Sequence, residues 1–145
     1  MLDCQVAILE NAIARCSVLK NNPIPLGTDH PSITPFGSFK TLDGEIVIAT
    51  GNDKMFKKFC ISISRIDISK NTRFINNISR NKNIKALRKE IEFTLKKNNS
   101  SYWIKLLREG NIPCSTINKI DEVINNPQLI KRNMILDYIE SDKYK

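Results

Sequence analysis

Pro-Phe-Gly-Ser-Phe-Lys-Thr-Leu-Asp-Gly-Glu-Ile-Val-Ile-Ala-Thr-Gly-Asn-Asp-Lys-Met-Phe-Lys-Lys-Phe-Cys, residues 35–60, is the stretch from which the fold is read. Phe36 and Phe39 lie in a short run that ends at Leu42-Asp43-Gly44, and Asp-Gly is a strong hairpin-turn dipeptide. The next six residues are β-branched and apolar at Ile46, Val47 and Ile48, the composition of a buried strand. Gly51 lets the backbone turn sharply. Asn52 or Asp53 can then cap a helix whose inner side carries Met55, Phe56, Phe59 and Cys60. The unit expected is strand, turn, strand, break and helix.

Working outward, the rest reads as helices and connecting loops. Leu2, Val6, Leu9, Ile13 and Cys16 recur at helical spacing, which predicts one helix over residues 1–20, ended by Asn21-Asn22-Pro23. Pro23, Pro25, Gly27, Pro31 and Pro35 make residues 22–35 a loop. Residues 64–82, rich in Asn and Arg with weak periodicity, read as a long irregular connection with short turns. Asn83 is expected to cap a helix with Ile84, Leu87, Ile91 and Leu95 inside and Lys85, Arg88, Lys89, Lys96 and Lys97 around its outer side. Ser100 or Ser101 is expected to cap a further helix that buries Trp103, Leu106 and Leu107 and ends at Gly110. A short extended piece over residues 112–117 and a brief helix over residues 121–126 follow. Another helix starts at Asn126-Pro127, with proline at the favoured first position, and the tail over residues 135–145 is expected to fray. The fold class is α+β: a small hairpin or sheet packed with several helices and preceded by a long helix.

Bulk properties narrow the function classes. At 145 residues and 41% apolar the chain is one domain by length and can bury a sizeable core. No apolar run approaches a membrane span, and no basic region precedes an apolar block at the start, so no membrane partner and a cytoplasmic location are expected. Cys4, Cys16, Cys60 and Cys114 form no Cys-x-x-Cys pair and stand with one histidine, which argues against a metal site. Cys4 and Cys16 on one helix would lie about 18 Å apart, too far for a disulfide. The net charge of +8 suits an anionic partner, such as nucleic acid. The basic residues form no single block, and Lys, Ile and Asn are abundant together, which also fits coding bias. The helix after Asn83 is the best nucleic-acid candidate. Glu90 and Glu92 interrupt it, and it is read as lacking an interleaved aromatic, so no specific nucleic acid is expected.

Asp43-Gly44, Gly51-Asn52-Asp53, Phe56 and Phe59-Cys60 resemble the small domain of the family III CoA-transferases, the group of formyl-CoA transferase, carnitine CoA-transferase and the bile-acid-inducible proteins. The resemblance extends over Met1-Leu2-Asp3 with Glu10-Asn11, His30-Pro31-Ser32-Ile33, and Arg73-Phe74 with Asn77, Arg80 and Asn83. It continues through Ile112-Pro113-Cys114, Ile117-Asn118, Val123, Pro127-Gln128 and Arg132-Asn133-Met134. It implies that residues 1–20 are an interdomain-type helix and residues 21–145 the small domain. It also implies a CoA ester as substrate, no bound cofactor, and CoA transfer between an acyl-CoA and a carboxylic acid through an aspartate nucleophile. That aspartate belongs to the family's large domain, upstream of this helix, and Asp3 does not match it. No catalytic residue is therefore assigned within the chain, and inactivity alone is expected.

The partners the resemblance implies are a complementary large-domain chain and a second copy, meeting through the apolar side of residues 2–19. The residues expected to face substrate are Gly27, His30, Ser32, Asn52 and Asp53. Some family members carry a glycine-rich lid in the first loop, where this chain keeps only Gly27. His30 reads either as an acid or base or as a hydrogen-bonding loop residue. Asp53 stands where the racemase branch of the family has a glutamate that transfers protons; a helix N-terminal carboxylate is the other reading. The rival classes are a non-enzymatic interaction module and a basic nucleic-acid-binding protein.

Overall fold

The hairpin closes where Asp43-Gly44 predicts it. In the computed structural model, which describes residues 1–136, β1 (Phe36–Lys40) and β2 (Glu45–Ala49) pair antiparallel, with Phe39 opposite Ile46 and Lys40 opposite Glu45. β3 (Cys114–Thr116) takes the other edge of β2, with Ile48 opposite Cys114 and Ile46 opposite Thr116. The sheet order is β1-β2-β3, and the fold is α+β. The helices among the described residues are α1 (Leu2–Ile8), α2 (Glu10–Leu19), α3 (Asp53–Ser62), α4 (Ile66–Lys70), α5 (Asn77–Lys82), α6 (Ile84–Leu95), α7 (Ser100–Glu109), α8 (Ile120–Ile124) and α9 (Pro127–Lys131).

The core forms where the period-2 pattern of the hairpin meets the helical stripes. Ile46 and Ile48 are fully buried on one face of β2, as alternation requires. Against them pack Phe56, Phe59 and Cys60 of α3, Leu87, Ile91 and Leu95 of α6, and Trp103, Ile104 and Leu107 of α7. Asn52 starts α3: its side chain accepts the Met55 N–H at 2.9 Å. Trp103 buries its indole and spends its N–H on the Leu95 carbonyl at 2.6 Å, which covers one open carbonyl at the end of α6.

Several expectations are corrected. The first helix is two, broken at Leu9 (φ −83°, ψ 6°), and neither half buries a residue. Residues 64–82 are not mainly irregular. They hold α4 and α5, and the Asn76 side chain caps α5 by accepting the Ser79 N–H at 2.8 Å. Asn83 precedes α6 without capping it; its amide instead donates to the carbonyls of Arg73 and Ser79. Neither serine caps α7. The Asp43 carboxylate reaches over from the hairpin turn and accepts the Ser100 N–H at 2.7 Å and its hydroxyl at 2.9 Å. Those two bonds hold the Asp43 carboxyl below its ordinary range.

Arg88 does not lie on the outer side of α6. It sits four residues after Ile84, on the inner flank, with its guanidinium 4.6 Å from the centre of the Phe39 ring. It donates to the Ser38 carbonyl at 2.6 Å and pairs with Asp29 and Glu92. Of the expected frayed tail, residues 137–145 lie outside the described residues.

Gly37 decides how closely the preceding loop lies on the sheet. A Cβ there would stand 2.7 Å from Asp29 Oδ1 and 2.8 Å from the Thr28 carbonyl. Thr28 is itself fixed to β1, its hydroxyl accepting the Ser38 N–H at 3.1 Å. Gly37→Ala is expected to cost about 1–3 kcal/mol through this overpacking and to lower the thermal midpoint. An unchanged midpoint would mean that the loop can lift from β1 freely.

Candidate substrate-facing loop and its clamp

Residues 27–35 carry the first group of expected site residues, and three elements hold them. From β1, the Phe36 carbonyl accepts the His30 N–H at 2.9 Å, and the Phe36 ring stacks on the imidazole with centroids 5.0 Å apart. Within the loop, His30 Nδ1 accepts the N–H groups of Ser32 (3.2 Å) and Ile33 (3.1 Å). From α5, a polar stripe binds loop backbone where an apolar one would pack. Asn77 Nδ2 and Asn81 Nδ2 donate to the Ser32 carbonyl at 2.7 and 2.8 Å. Asn77 Oδ1 accepts the Thr34 N–H at 3.1 Å, and Asn81 Oδ1 accepts the Thr34 hydroxyl.

Arg80, on the same helix, is fully buried. Its Nε donates to the Thr34 carbonyl, its Nη1 to the Phe74 carbonyl at 3.2 Å, and its Nη2 to Asp53 Oδ1 at 2.7 Å. The guanidinium lies 4.3 Å from the centre of the Phe56 ring. A buried cation is tolerated only when paired and hydrogen-bonded, and Arg80 meets both conditions. One side chain thereby joins the loop to the start of α3.

The five expected residues separate into two places and one outlier. His30 and Ser32 line an open groove of about 460 Å³ with Asn11, Ala14, Arg15, Val18 and Leu19 of α2 and with Pro31. Asn52 and Asp53 stand at the N-terminus of α3, where Asn52 caps and Asp53 pairs with Arg80. Asn52 also borders a smaller groove of about 220 Å³ with Lys54, Met55, Lys58 and Asn111. Gly27 adopts φ +64° in open space and does not line the first groove. The reading missed Asn81 and gave Arg80 no role. The signal available was their spacing with Asn77, at i, i+3 and i+4, which puts all three on one helix face.

Burial pushes the Cys60 thiol up to about 12, and burial also raises Cys114, so both stand as thiols and not as thiolate nucleophiles. Among the described residues no group of three or more His, Cys, Asp or Glu is placed to hold a metal ion, and no helix is long and apolar enough to cross a membrane. On α6 the expectation of no interleaved aromatic is corrected: Phe93 is exposed, with the Lys97 ammonium 5.0 Å from its ring centre.

Comparison with known proteins decides the lineage of this arrangement. The family described as CoA-transferase family III matches residues 1–145. The chain belongs to CoA-transferase family III. An acetyl-CoA:oxalate CoA-transferase of Acetobacter aceti is 31% identical over 136 residues, which cover 94% of this chain and 35% of that protein. The human succinyl-CoA:glutarate CoA-transferase is 28% identical over 137 residues, covering 94% of this chain and 31% of its own length. A crystal structure of a CAIB/BAIF family protein from Brucella suis superposes with a TM-score of 0.82 at 29% identity, over 93% of this chain and 36% of that one. This family III chain thus spans about a third of the length of the relatives it matches.

Proposed function

We propose that this chain supplies the small-domain part of a family III CoA-transferase, and that its chemistry needs a large domain carrying the nucleophilic aspartate. The observation that carries the reading is the family match over residues 1–145 against a span of 35% of the acetyl-CoA:oxalate enzyme. In the reaction, a carboxylate attacks the thioester carbonyl of an acyl-CoA and expels the CoA thiolate, leaving a mixed anhydride. The thiolate then attacks the aspartyl carbonyl, releasing the acyl group as its carboxylate and leaving an aspartyl-CoA thioester. An acceptor acid repeats these steps in reverse and leaves as the new acyl-CoA. One difficult exchange becomes a series of easier ones.

The acidic groups of the candidate region favour a supporting role. Asp53 is paired with Arg80 and Asp29 with Arg88, so neither is presented as an unpaired nucleophile. The pairing of Asp53 favours helix-end placement over racemase-type proton transfer. α1 and α2 expose Leu2, Ile8, Val18 and Leu19, all more than 60% exposed, and such apolar surface is suited to meeting the large domain or a second copy.

The test is a transfer assay with acetyl-CoA or succinyl-CoA as donor and oxalate or glutarate as acceptor. The chain alone is expected to give no turnover, and turnover is expected when the cognate large-domain polypeptide is added. Turnover by the chain alone, or none by the reconstituted pair, would overturn the reading.

A further inference from the structure

We propose that the outward crest of α6 binds single-stranded nucleic acid without sequence preference. Lys85, Lys89, Phe93 and Lys96 are all exposed, and at about 100° per residue they share one arc of about 80°. That arc lies opposite the buried stripe of Leu87, Ile91 and Leu95. At about 1.5 Å per residue the crest runs about 17 Å from Lys85 to Lys96. Lys97 closes it, with its ammonium 5.0 Å from the centre of the Phe93 ring. The two glutamates that interrupt the basic run in sequence do not interrupt it in space. Glu90 lies on one flank and pairs with Arg65 at 2.8 Å, and Glu92 lies on the other and pairs with Arg88 at 3.3 Å. Each spends its charge on an arginine, away from the crest. The four lysines make no ion pair among the described residues. α6 thus turns outward a row of cations with one aromatic ring in it.

Cations and ring together select the occupant. A row of lysines tracks a chain of phosphates, and an exposed ring stacks a base whatever its identity. Phe93 is 67% exposed, and an open recess of about 350 Å³, lined by Lys89, Glu90 and Phe93, gives an unpaired base room beside it. The Lys97 ammonium over the ring adds a cation next to that stack. A double helix keeps its bases stacked on one another and has none to offer the ring. A membrane surface takes up the apolar face of a helix, and the apolar face of α6 is spent on the core. A protein partner needs an apolar centre to its interface, and Phe93 is the one large apolar side chain on the crest. Strand binding here goes beyond the transfer reading and needs none of its steps.

The experiment is fluorescence anisotropy of the full 145-residue chain with a labelled oligo-dT of about 12 nucleotides, over a salt series that starts low. Phe93→Ala is expected to weaken binding about fivefold or more, because a stacking platform is lost. An abasic strand with the same phosphates should bind the wild type about fivefold or more weaker and should not respond to Phe93→Ala. Lys89→Gln should lower the slope of log affinity against log salt by about 0.7, the value of one phosphate contact on a single strand. Lys57→Gln, the same charge change on the exposed side of α3, should leave that slope unchanged. All three side chains are exposed, so the thermal midpoints of the variants should match the wild type. Equal effects of Lys89→Gln and Lys57→Gln would mean diffuse charge alone and would overturn the proposal. Equal affinity for the abasic strand would overturn it as well. So would poly-glutamate binding as tightly as oligo-dT, the result expected of a face made for an acidic protein.

Discussion

Arg80→Ala is expected to destabilise the fold by about 3–5 kcal/mol, from two buried carbonyls left without a donor and the cavity of a large side chain. The source of the loss is specific. The substitution leaves the carbonyls of Thr34 and Phe74 without their donor in a dry environment, and each unsatisfied buried carbonyl costs about 1–3 kcal/mol. It also leaves a cavity beside Phe56. Asp53 contributes less to the loss, because its side chain is 49% exposed and can rehydrate. Asp53→Asn should cost about 1–3 kcal/mol: the amide oxygen still accepts from Nη2, but the fully buried guanidinium loses its counter-charge. Arg80→Lys should not rescue, because one ammonium cannot reproduce three bonds that leave a planar fork in three directions. Urea unfolding of the three variants checks the order. A loss below about 1 kcal/mol for Arg80→Ala would mean that water enters and satisfies both carbonyls, and that the clamp is not a keystone.

The second large effect is expected at Phe56, which is 1% exposed. Phe56→Ala should cost about 3–5 kcal/mol from lost burial and the cavity left behind. Phe56→Leu restores most of the volume but not the ring face under the guanidinium, so it should recover all but about 0.5–2 kcal/mol. A double-mutant cycle of Phe56→Leu with Arg80→Ala separates packing from cation–ring attraction. Coupling of about 0.5–2 kcal/mol is expected. Strict additivity would assign the whole effect of Phe56 to the hydrophobic core. With total stabilities of about 5–15 kcal/mol for a domain, either alanine variant alone could leave the protein close to unfolding.

What could be read from residues alone follows from where the apolar signal lay. The ββα unit was legible because three independent cues agree there: the Asp43-Gly44 turn, the β-branched run of β2, and the Asn52 cap before an apolar helical stripe. α6 and α7 were legible through Leu87, Ile91, Leu95, Trp103 and Leu107, which recur at helical spacing and are buried. α5 was not, because its inner face is Asn77, Arg80 and Asn81. These side chains meet backbone carbonyls and N–H groups some 40 to 50 residues away in sequence, for which periodicity of apolar residues is no guide. Arg88 was misplaced for the same reason: a charged side chain was assigned to solvent, although its position after Ile84 points inward over Phe39. The extended piece at β3 was legible, but its partner was not, since pairing with β2 crosses more than sixty residues. At the candidate site, His30, Ser32, Asn52 and Asp53 were named from motif.

The clamp of α5 also sets which length changes this chain can absorb. Asn77, Arg80 and Asn81 grip residues 32–34 from one helix face, and inserting or deleting a single residue between them would swing part of that grip by about 100°. Gly27 lies only five residues before Ser32, yet it stands in open space with a left-handed backbone. Insertions are tolerated where chain is exposed and its backbone groups are uncommitted. Relatives that differ in loop length should therefore differ around Gly27, while the interval from Asn77 to Asn81 keeps its count.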